Sequence, residues 1–172
     1  METKELCIIS DSDIPSGSGG INGEGYTYGQ LRHQPIITEI LQRITLPIAR
    51  KMAEDCNERN RKDGFTMYKV DGEYCFEGLR VGPKVKIPSK EDLLALLEDQ
   101  PINAASIRNI TYTLIHEELA RLYGTSVQEA ADIIGNQLDC APHEDISGYI
   151  FMVPNWAHKW FRHNGYVSRM LK

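Results

Sequence analysis

Three of the five histidines lie near the C-terminal end of the chain, at His143, His158 and His163. A neutral imidazole accepts a proton close to pH 7, and it also binds borderline transition metals such as Zn²⁺ or Ni²⁺. Hydrolysis of a phosphodiester needs a group that takes a proton from water and a cation that offsets charge on the departing oxygen. The three histidines are therefore a candidate set for metal-assisted phosphodiester cleavage.

The residues around these histidines predict a β-hairpin followed by a helix. The elements are, in order, a strand over 139–144, a turn at Ser147-Gly148, a β-prone strand over 149–153 and a helix over 156–163. Pro154 should end the second strand, and Asn155 is a suitable N-cap for the helix. This arrangement puts His143 on the first strand and both other histidines on the helix.

The spacing of the two helical histidines restricts how they can act together. Residues five apart on an α-helix point about 140° away from each other, because one turn takes 3.6 residues. His158 and His163 can therefore bind one metal ion only if the helix ends or tightens between them. Otherwise one of them is structural or contacts phosphate.

The segment from His143 to Gly165 resembles the C-terminal signature of HNH-type nuclease toxins of the His-Me finger, or ββα-metal, superfamily. The shared features are the order of the histidines, the apolar Val153-Pro154, the helical His158 and the final His163-Asn164-Gly165. The match covers less than a fifth of the chain. Pro142 stands where the family has the first histidine of a pair, and Tyr166 stands where it has a second glycine.

The resemblance implies a role for each of these residues. His143 falls on the position of the general base, and His158 and His163 fall on the metal and phosphate positions. With Pro142 in place of a usual ligand, Asp139 or Cys140 is expected to substitute, and Asp139 is taken as the third metal ligand. One divalent ion is expected, and Zn²⁺, Ni²⁺, Mg²⁺ and Mn²⁺ remain open.

The charge is distributed unevenly along the chain. The net charge is −5, which argues against a general nucleic-acid coat protein, but the segment from Asn155 onward contains no acidic residue. Lys159, Arg162 and Arg169 in this segment are expected to hold the phosphate backbone of DNA. Such contacts position a nucleic acid without reading its bases, so weak sequence preference is expected. Whether the substrate is DNA or RNA stays open.

The resemblance also implies a biological context. Domains of this kind are effectors delivered into the cytoplasm of a target cell, as part of a larger polypeptide or as cargo, and each has a cognate immunity protein. No secretory signal is visible at the N-terminus, and a cytoplasmic location is the alternative. No apolar run is long enough to span a membrane.

The whole chain is expected to be an α+β protein, mainly helical, with a small β-hairpin and a C-terminal ββα-metal module. The expected regions are a strand and a Gly/Ser-rich segment over 1–34, a helical region over 35–135 with a hairpin at 66–77, and the module over 136–172. The module is expected to form one compact domain with 35–135. Pro47 should split the first helical stretch. Further helices are expected over 90–98 and 104–123, and over a short stretch that begins after Ser126 and ends at Gly135.

Two other functions remain as alternatives. Residues 117–134 have the spacing of a helix-turn-helix, which would suit a DNA-binding regulator without catalysis. The second helix of that pair carries Glu129 and Asp132 and no basic residue, which opposes contact with phosphates. The other alternative is an inactive, nuclease-like interaction module.

His116 begins a zincin-like pattern, but Ala120 stands where the second metal ligand would be.

Overall fold

The computed structural model describes residues 4–8, 36, 38–63, 66–70, 73–160 and 166–171. The fold is α+β and mainly helical, as the sequence predicts. The helices are α1 (Thr38–Arg43), α2 (Pro47–Asp63), α3 (Lys90–Leu97), α4 (Ala104–Tyr123), α5 (Val127–Asp132), α6 (Asn155–Trp160) and α7 (Tyr166–Met170). The strands are β1 (Lys4–Ile8), β2 (Thr66–Val70), β3 (Glu73–Cys75), β4 (Val81–Lys86), β5 (Cys140–Glu144) and β6 (Tyr149–Pro154).

The first sheet has three antiparallel strands in the order β1-β2-β3. The predicted hairpin at 66–77 is present as β2 and β3, with Val70 opposite Glu73. The turn residues 71–72 between them lie outside the described residues, as does most of the predicted Gly/Ser-rich segment. A 3₁₀ turn over Glu77–Leu79 leads from this sheet directly into β4.

The second sheet has the order β4-β6-β5 and is antiparallel throughout. The predicted C-terminal hairpin is formed by β5 and β6, with His143 opposite Phe151. On its other side β6 pairs with β4, where Val81 is opposite Met152. The C-terminal hairpin is therefore continued by a strand that comes from the middle of the chain.

The central strand β6 is buried on both faces. Side chains alternate between the two faces of a strand. Ile150 and Met152 belong to the main hydrophobic core, which they share with residues of α2 and α4 such as Ala53 and Leu119. Phe151, also fully buried, alternates with them and so faces the other side of the sheet. The second sheet therefore separates the helical core from the layer that contains α6.

The helix ends follow local sequence signals. Ser89 and Ser126 accept hydrogen bonds from the backbone N–H groups of Asp92 and Glu129, which satisfies donors that a helix start leaves unpaired. Gly124 ends α4 with φ of 70°, a left-handed conformation that glycine adopts without a Cβ clash. α2 begins at Pro47, where a proline costs the helix no internal hydrogen bond.

Three details differ from the prediction. The short helix does not end at Gly135, because α5 continues into a π-helical turn over Ile133–Gln137. Asn155 is the first residue of α6 and not the residue before it, and its amide Nδ2 donates to Oδ1 of Asp139 at 2.7 Å. The helix α7 was not predicted, and its buried Val167 packs into the main core.

Cys56, Cys75 and Cys140 are free, buried thiols. Within the described ranges, no helix combines the length and apolar character needed to cross a membrane.

Candidate functional site

His143 lies on β5 inside the layer between the hairpin and α6. His143 is only 2% exposed to solvent. Its ring nitrogen Nε2 is 2.8 Å from Oδ1 of Asp145, which lies two residues further along the chain. This hydrogen bond fixes both the orientation of the imidazole and the nitrogen that carries its proton. If Asp145 is ionised, Nε2–H donates and the neutral ring has its lone pair on Nδ1.

Asp145 is fully buried and its carboxylate accepts hydrogen bonds from two parts of the fold. Oδ1 accepts from His143 and from the backbone N–H of Phe76 at 2.9 Å. Oδ2 accepts from the thiol of Cys75 at 3.2 Å and from the backbone N–H of Ser147 at 3.1 Å. Burial alone would raise the pKa of this carboxyl, but the bonds and charge from His143, helped by Ser147 and Phe76, lower it to about 2. Asp145 is therefore an anion near neutral pH.

The thiol of Cys75 serves as a donor to this carboxylate. Burial and then the negative charge of Asp145 raise the pKa of Cys75 to about 12. A thiol is nucleophilic only as the thiolate, so Cys75 stays protonated and unreactive beside Asp145. The cluster of Cys75, His143 and Asp145 is thus not a cysteine–histidine nucleophile.

Aromatic rings surround His143 on its other sides. The ring centroids of Phe76 and Phe151 are 4.5 Å and 5.7 Å away, both in edge contact. The ring of His158, on α6, is 5.4 Å away and is also in edge contact. The structure therefore brings together two of the three predicted histidines, one from the strand and one from the helix.

Asp139, the predicted third ligand, lies at the start of the hairpin and is exposed. Its backbone carbonyl accepts from the N–H of Asn155, and its Oδ1 accepts from the Asn155 side chain. It therefore joins the hairpin to the first residue of α6. Asp139 precedes β5 and has φ of 53°, so it is not part of the extended strand that carries His143.

The other predicted site residues lie in or beyond the last two helices. His163 and Arg162 fall outside the described residues. Lys159 lies in α6 and Arg169 in α7, and only the backbone positions of these two residues are described. Their predicted contacts with phosphate stay predictions.

The predicted metal centre involves these same residues. Over the ranges 36–63 and 73–160 and the short segments around them, no three histidine, cysteine, aspartate or glutamate side chains are grouped as a metal site. Within these ranges, His158 is the predicted ligand that stands beside His143. The expected divalent ion stays a prediction that involves His163 as well.

A second buried carboxylate, that of Glu144, lies beside the site on the opposite face of β5. Its Oε1 is 3.4 Å from Nε of Arg108 on α4. Burial raises the pKa of Glu144, while Arg108 counteracts this by charge and hydrogen bonding. Because successive residues of a strand face opposite ways, Glu144 connects the hairpin to the helical core and does not face His143.

The alternative helix-turn-helix hypothesis needs two helices, and both are present as α4 and α5. The surface of α5 exposes Glu129 and Asp132, and with Gln137 they line an open pocket of about 400 Å³. Phosphates supply most of the free energy of DNA binding, and these carboxylates would repel them. The geometry therefore gives no support to DNA recognition by α5.

Sequence reasoning missed Asp145, Cys75 and Phe76 as parts of the site. Asp145 is two residues after His143. Side chains two residues apart on an extended chain lie on the same face, so this spacing could have marked Asp145 as a partner. Cys75 ends β3 of the other sheet and Phe76 follows it, at 70 and 69 positions before Asp145. No local pattern connects them to the hairpin.

Comparisons of the chain with protein-family models, with curated proteins and with solved structures found no match. The resemblance of the C-terminal segment therefore rests on its own residues.

Proposed function

We propose that the chain is a metal-dependent endonuclease that hydrolyses phosphodiester bonds in DNA. The observation that carries this proposal is the arrangement at the hairpin–helix junction. A buried, ionised Asp145 orients His143 on the strand, and the imidazole of His158 on the following helix contacts the His143 ring. A base held by a carboxylate beside a second imidazole is an arrangement suited to activating water next to a cation.

His143 is the proposed general base. Nε2 is engaged by Asp145, so the proton from water would be accepted at Nδ1. The carboxylate stabilises the imidazolium that forms, because its own pKa of about 2 keeps it ionised. The ring is nearly buried, so the scissile phosphate must approach along the side where α6 contacts the hairpin.

His158 and His163 are the proposed metal ligands. His158, the one of the two that the structure describes, offers an imidazole nitrogen. This ligand suits Zn²⁺ or Ni²⁺ better than Mg²⁺, which prefers oxygen ligands. Bound there, a divalent ion would supply positive charge to the phosphate and to the departing oxygen. Asp139 is bonded to Asn155, so a ligand role would require it to exchange that hydrogen bond.

Lys159, Arg162 and Arg169 are the proposed contacts to the nucleic-acid backbone. They lie in a segment that contains no acidic residue, so the local charge favours a polyanion although the whole chain is acidic. We further propose that the protein is a toxin delivered into target cells and neutralised by an immunity protein. An acidic partner surface would complement the charge of this segment.

A plasmid assay tests the nuclease proposal. Supercoiled DNA is incubated with purified protein and Mg²⁺, Mn²⁺, Ni²⁺ or Zn²⁺, and nicked and linear forms are measured on a gel. A general base contributes about 10²- to 10⁴-fold, so His143→Gln should reduce nicking by at least that factor. A chelator should stop nicking by the wild type. Parallel incubation with a structured RNA determines which nucleic acid is preferred.

The matched control is His116→Gln, which alters a partly buried histidine on α4, outside the site. It should nick at the wild-type rate. Circular dichroism and thermal unfolding of both variants separate loss of chemistry from loss of fold. Wild-type nicking by a folded His143→Gln variant would contradict the assignment of the base. Absence of cleavage with every metal and both nucleic acids would contradict the proposed function.

A further inference from the structure

Two arginines lie next to each other away from the histidine site. Arg59 is on the C-terminal half of α2, and Arg80 follows the 3₁₀ turn that leads into β4. A terminal nitrogen of Arg59 donates to the backbone carbonyl of Arg80, and a terminal nitrogen of Arg80 donates to the carbonyl of Gly82. The guanidinium of Arg59 thus reaches the backbone of Arg80, and its charge acts on the Arg80 side chain.

Within the part of the chain that the structure describes, no ion pair includes Arg59 or Arg80. Glu77 is the carboxylate whose charge acts on Arg80, but its Oε1 is already bonded to Nζ of Lys84 at 2.6 Å. Burial, and then the adjacent Arg59, lower the pKa of Arg80. Two guanidinium groups in this position repel each other.

Each arginine also has an unused donor. Nε of Arg59 and Nε of Arg80 are shielded from solvent and have no hydrogen-bond partner within the described part of the chain. Buried polar groups without a partner are rare in folded proteins, and one explanation is a bound ion. Both residues are partly exposed as a whole, so a small rotation of the guanidinium groups would open these donors to a ligand.

We propose that Arg59 and Arg80 form a binding site for a phosphate group. A guanidinium presents its N–H groups as a planar fork that matches two oxygens of a phosphate. A tetrahedral phosphate offers enough acceptor oxygens to bridge two forks, and its charge offsets the repulsion between them. The site is separate from the histidine cluster and does not depend on the proposed nuclease function. The phosphate comes either from a nucleic-acid backbone or from a small phosphorylated molecule.

The test is an NMR titration of ¹⁵N-labelled protein in a metal-free buffer, which monitors the arginine Nε–H signals directly. The probes are inorganic phosphate and a short DNA duplex without terminal phosphates, at constant ionic strength. We expect saturable shifts of two Nε–H signals, those of Arg59 and Arg80. Either Arg59→Gln or Arg80→Gln should weaken binding about tenfold or more, as expected for loss of a charge-assisted bond. Arg121→Gln, which alters an exposed arginine paired with Glu118, should not change it.

The two probes distinguish the sources of the phosphate. Shifts with both probes support a site for the nucleic-acid backbone, and shifts with inorganic phosphate alone support a site for a small phosphorylated molecule. If neither probe shifts these signals, or if both glutamine variants bind like the wild type, the site does not exist. Arg59→Lys and Arg80→Lys replace the glutamine variants if those do not fold, since lysine keeps the charge and lacks the fork. The wild-type titration requires no variant and decides the matter alone if all four variants misfold.

Discussion

Asp145 is the residue on which the candidate site most depends. Oδ1 accepts hydrogen bonds from His143 and Phe76, and Oδ2 accepts hydrogen bonds from Cys75 and Ser147. A buried charge is tolerated only when its hydrogen-bonding capacity is filled, and here it is filled from two different sheets. The same carboxylate therefore orients the proposed base and joins β3 to the C-terminal hairpin.

The low pKa of Asp145 predicts a loss of stability in acid. The pKa falls from an ordinary 3.8 to about 2 on folding, so the folded state favours the ionised form. The resulting stabilisation is complete above the ordinary pKa and disappears as the pH falls through the folded value. Its size is on the order of 2 kcal/mol. Urea unfolding at a series of pH values should show this loss in the wild type.

The variant Asp145→Asn should lack this component. It should be less stable than the wild type near neutral pH, and its free energy of unfolding should change less between roughly pH 5 and pH 2. Glu117→Gln, at an exposed position on α4, should follow the wild-type curve. If the free energy of unfolding of Asp145→Asn falls in acid as much as that of the wild type, this carboxylate is not linked to stability.

The buried thiols should be unreactive in the folded protein. Burial raises the pKa of Cys56 to about 11 and, with the Asp145 charge, that of Cys75 to about 12. Burial likewise raises the pKa of Cys140. Alkylation at pH 8, followed by peptide mass spectrometry, should label these three cysteines only after unfolding in urea. Rapid labelling of Cys75 without urea would mean that its bond to Asp145 is not maintained.

At the residue scale, the sequence predicted the histidines better than their partners. His143 and His158 were identified because imidazole chemistry and local spacing point to them. Cys75 and Phe76 were not, because a contact across about 70 residues depends on how two sheets pack and leaves no periodic signal. The predicted pairing of His163 with His158 stays a prediction.

At the scale of elements, the two glycines near α5 have opposite roles. Gly124 has φ of 70°, whereas Gly135 is within the π-helical turn and has no positive φ. A Cβ at Gly124 would meet no neighbouring atom, so the cost of a side chain there comes from the backbone conformation alone. At Gly135 the closest atom to an added Cβ is the carbonyl oxygen of Cys140 at 4.0 Å.

The variants Gly124→Ala and Gly135→Ala form a matched pair. Gly124→Ala should lower the free energy of unfolding by about 1–2 kcal/mol, because an L-residue is strained in the left-handed region. Gly135→Ala should be neutral or stabilising by up to about 1 kcal/mol, because alanine restricts the unfolded chain. Urea denaturation measures both. Equal destabilisation by the two variants would contradict this difference.

Elements with strong end signals were predicted well, and those shaped by packing were not. α3 and α4 were predicted nearly to the residue because Ser89 and Gly124 mark their ends by local chemistry. The continuation of α5 past Gly135 was missed, since a π-helical turn forms where Ile134 and Leu138 must both reach the core. α7 was missed because it is short and depends on Val167 entering that core.

At the scale of the whole molecule, the C-terminal hairpin depends on the preceding region. β6 receives β4 along one edge, and its inner face is covered by helices α2 and α4. A peptide of residues 136–172 alone would expose Ile150 and Met152 and leave that edge unpaired. Such a peptide should be unfolded, with no cooperative thermal transition in circular dichroism, whereas the full chain should show one. Cooperative melting of the peptide would contradict this dependence.

The sheet order β4-β6-β5 limits how the proposed catalytic part could be moved to another protein. A graft that begins at residue 136 would leave behind the edge partner of β6 and two of the four donors to Asp145. A transplant that keeps His143 aligned must also carry Glu73 to Lys86, together with apolar side chains that replace the helices above Met152. The smallest exchangeable piece of this protein is thus assembled from two stretches of sequence, and recombination at a single crossover would separate them.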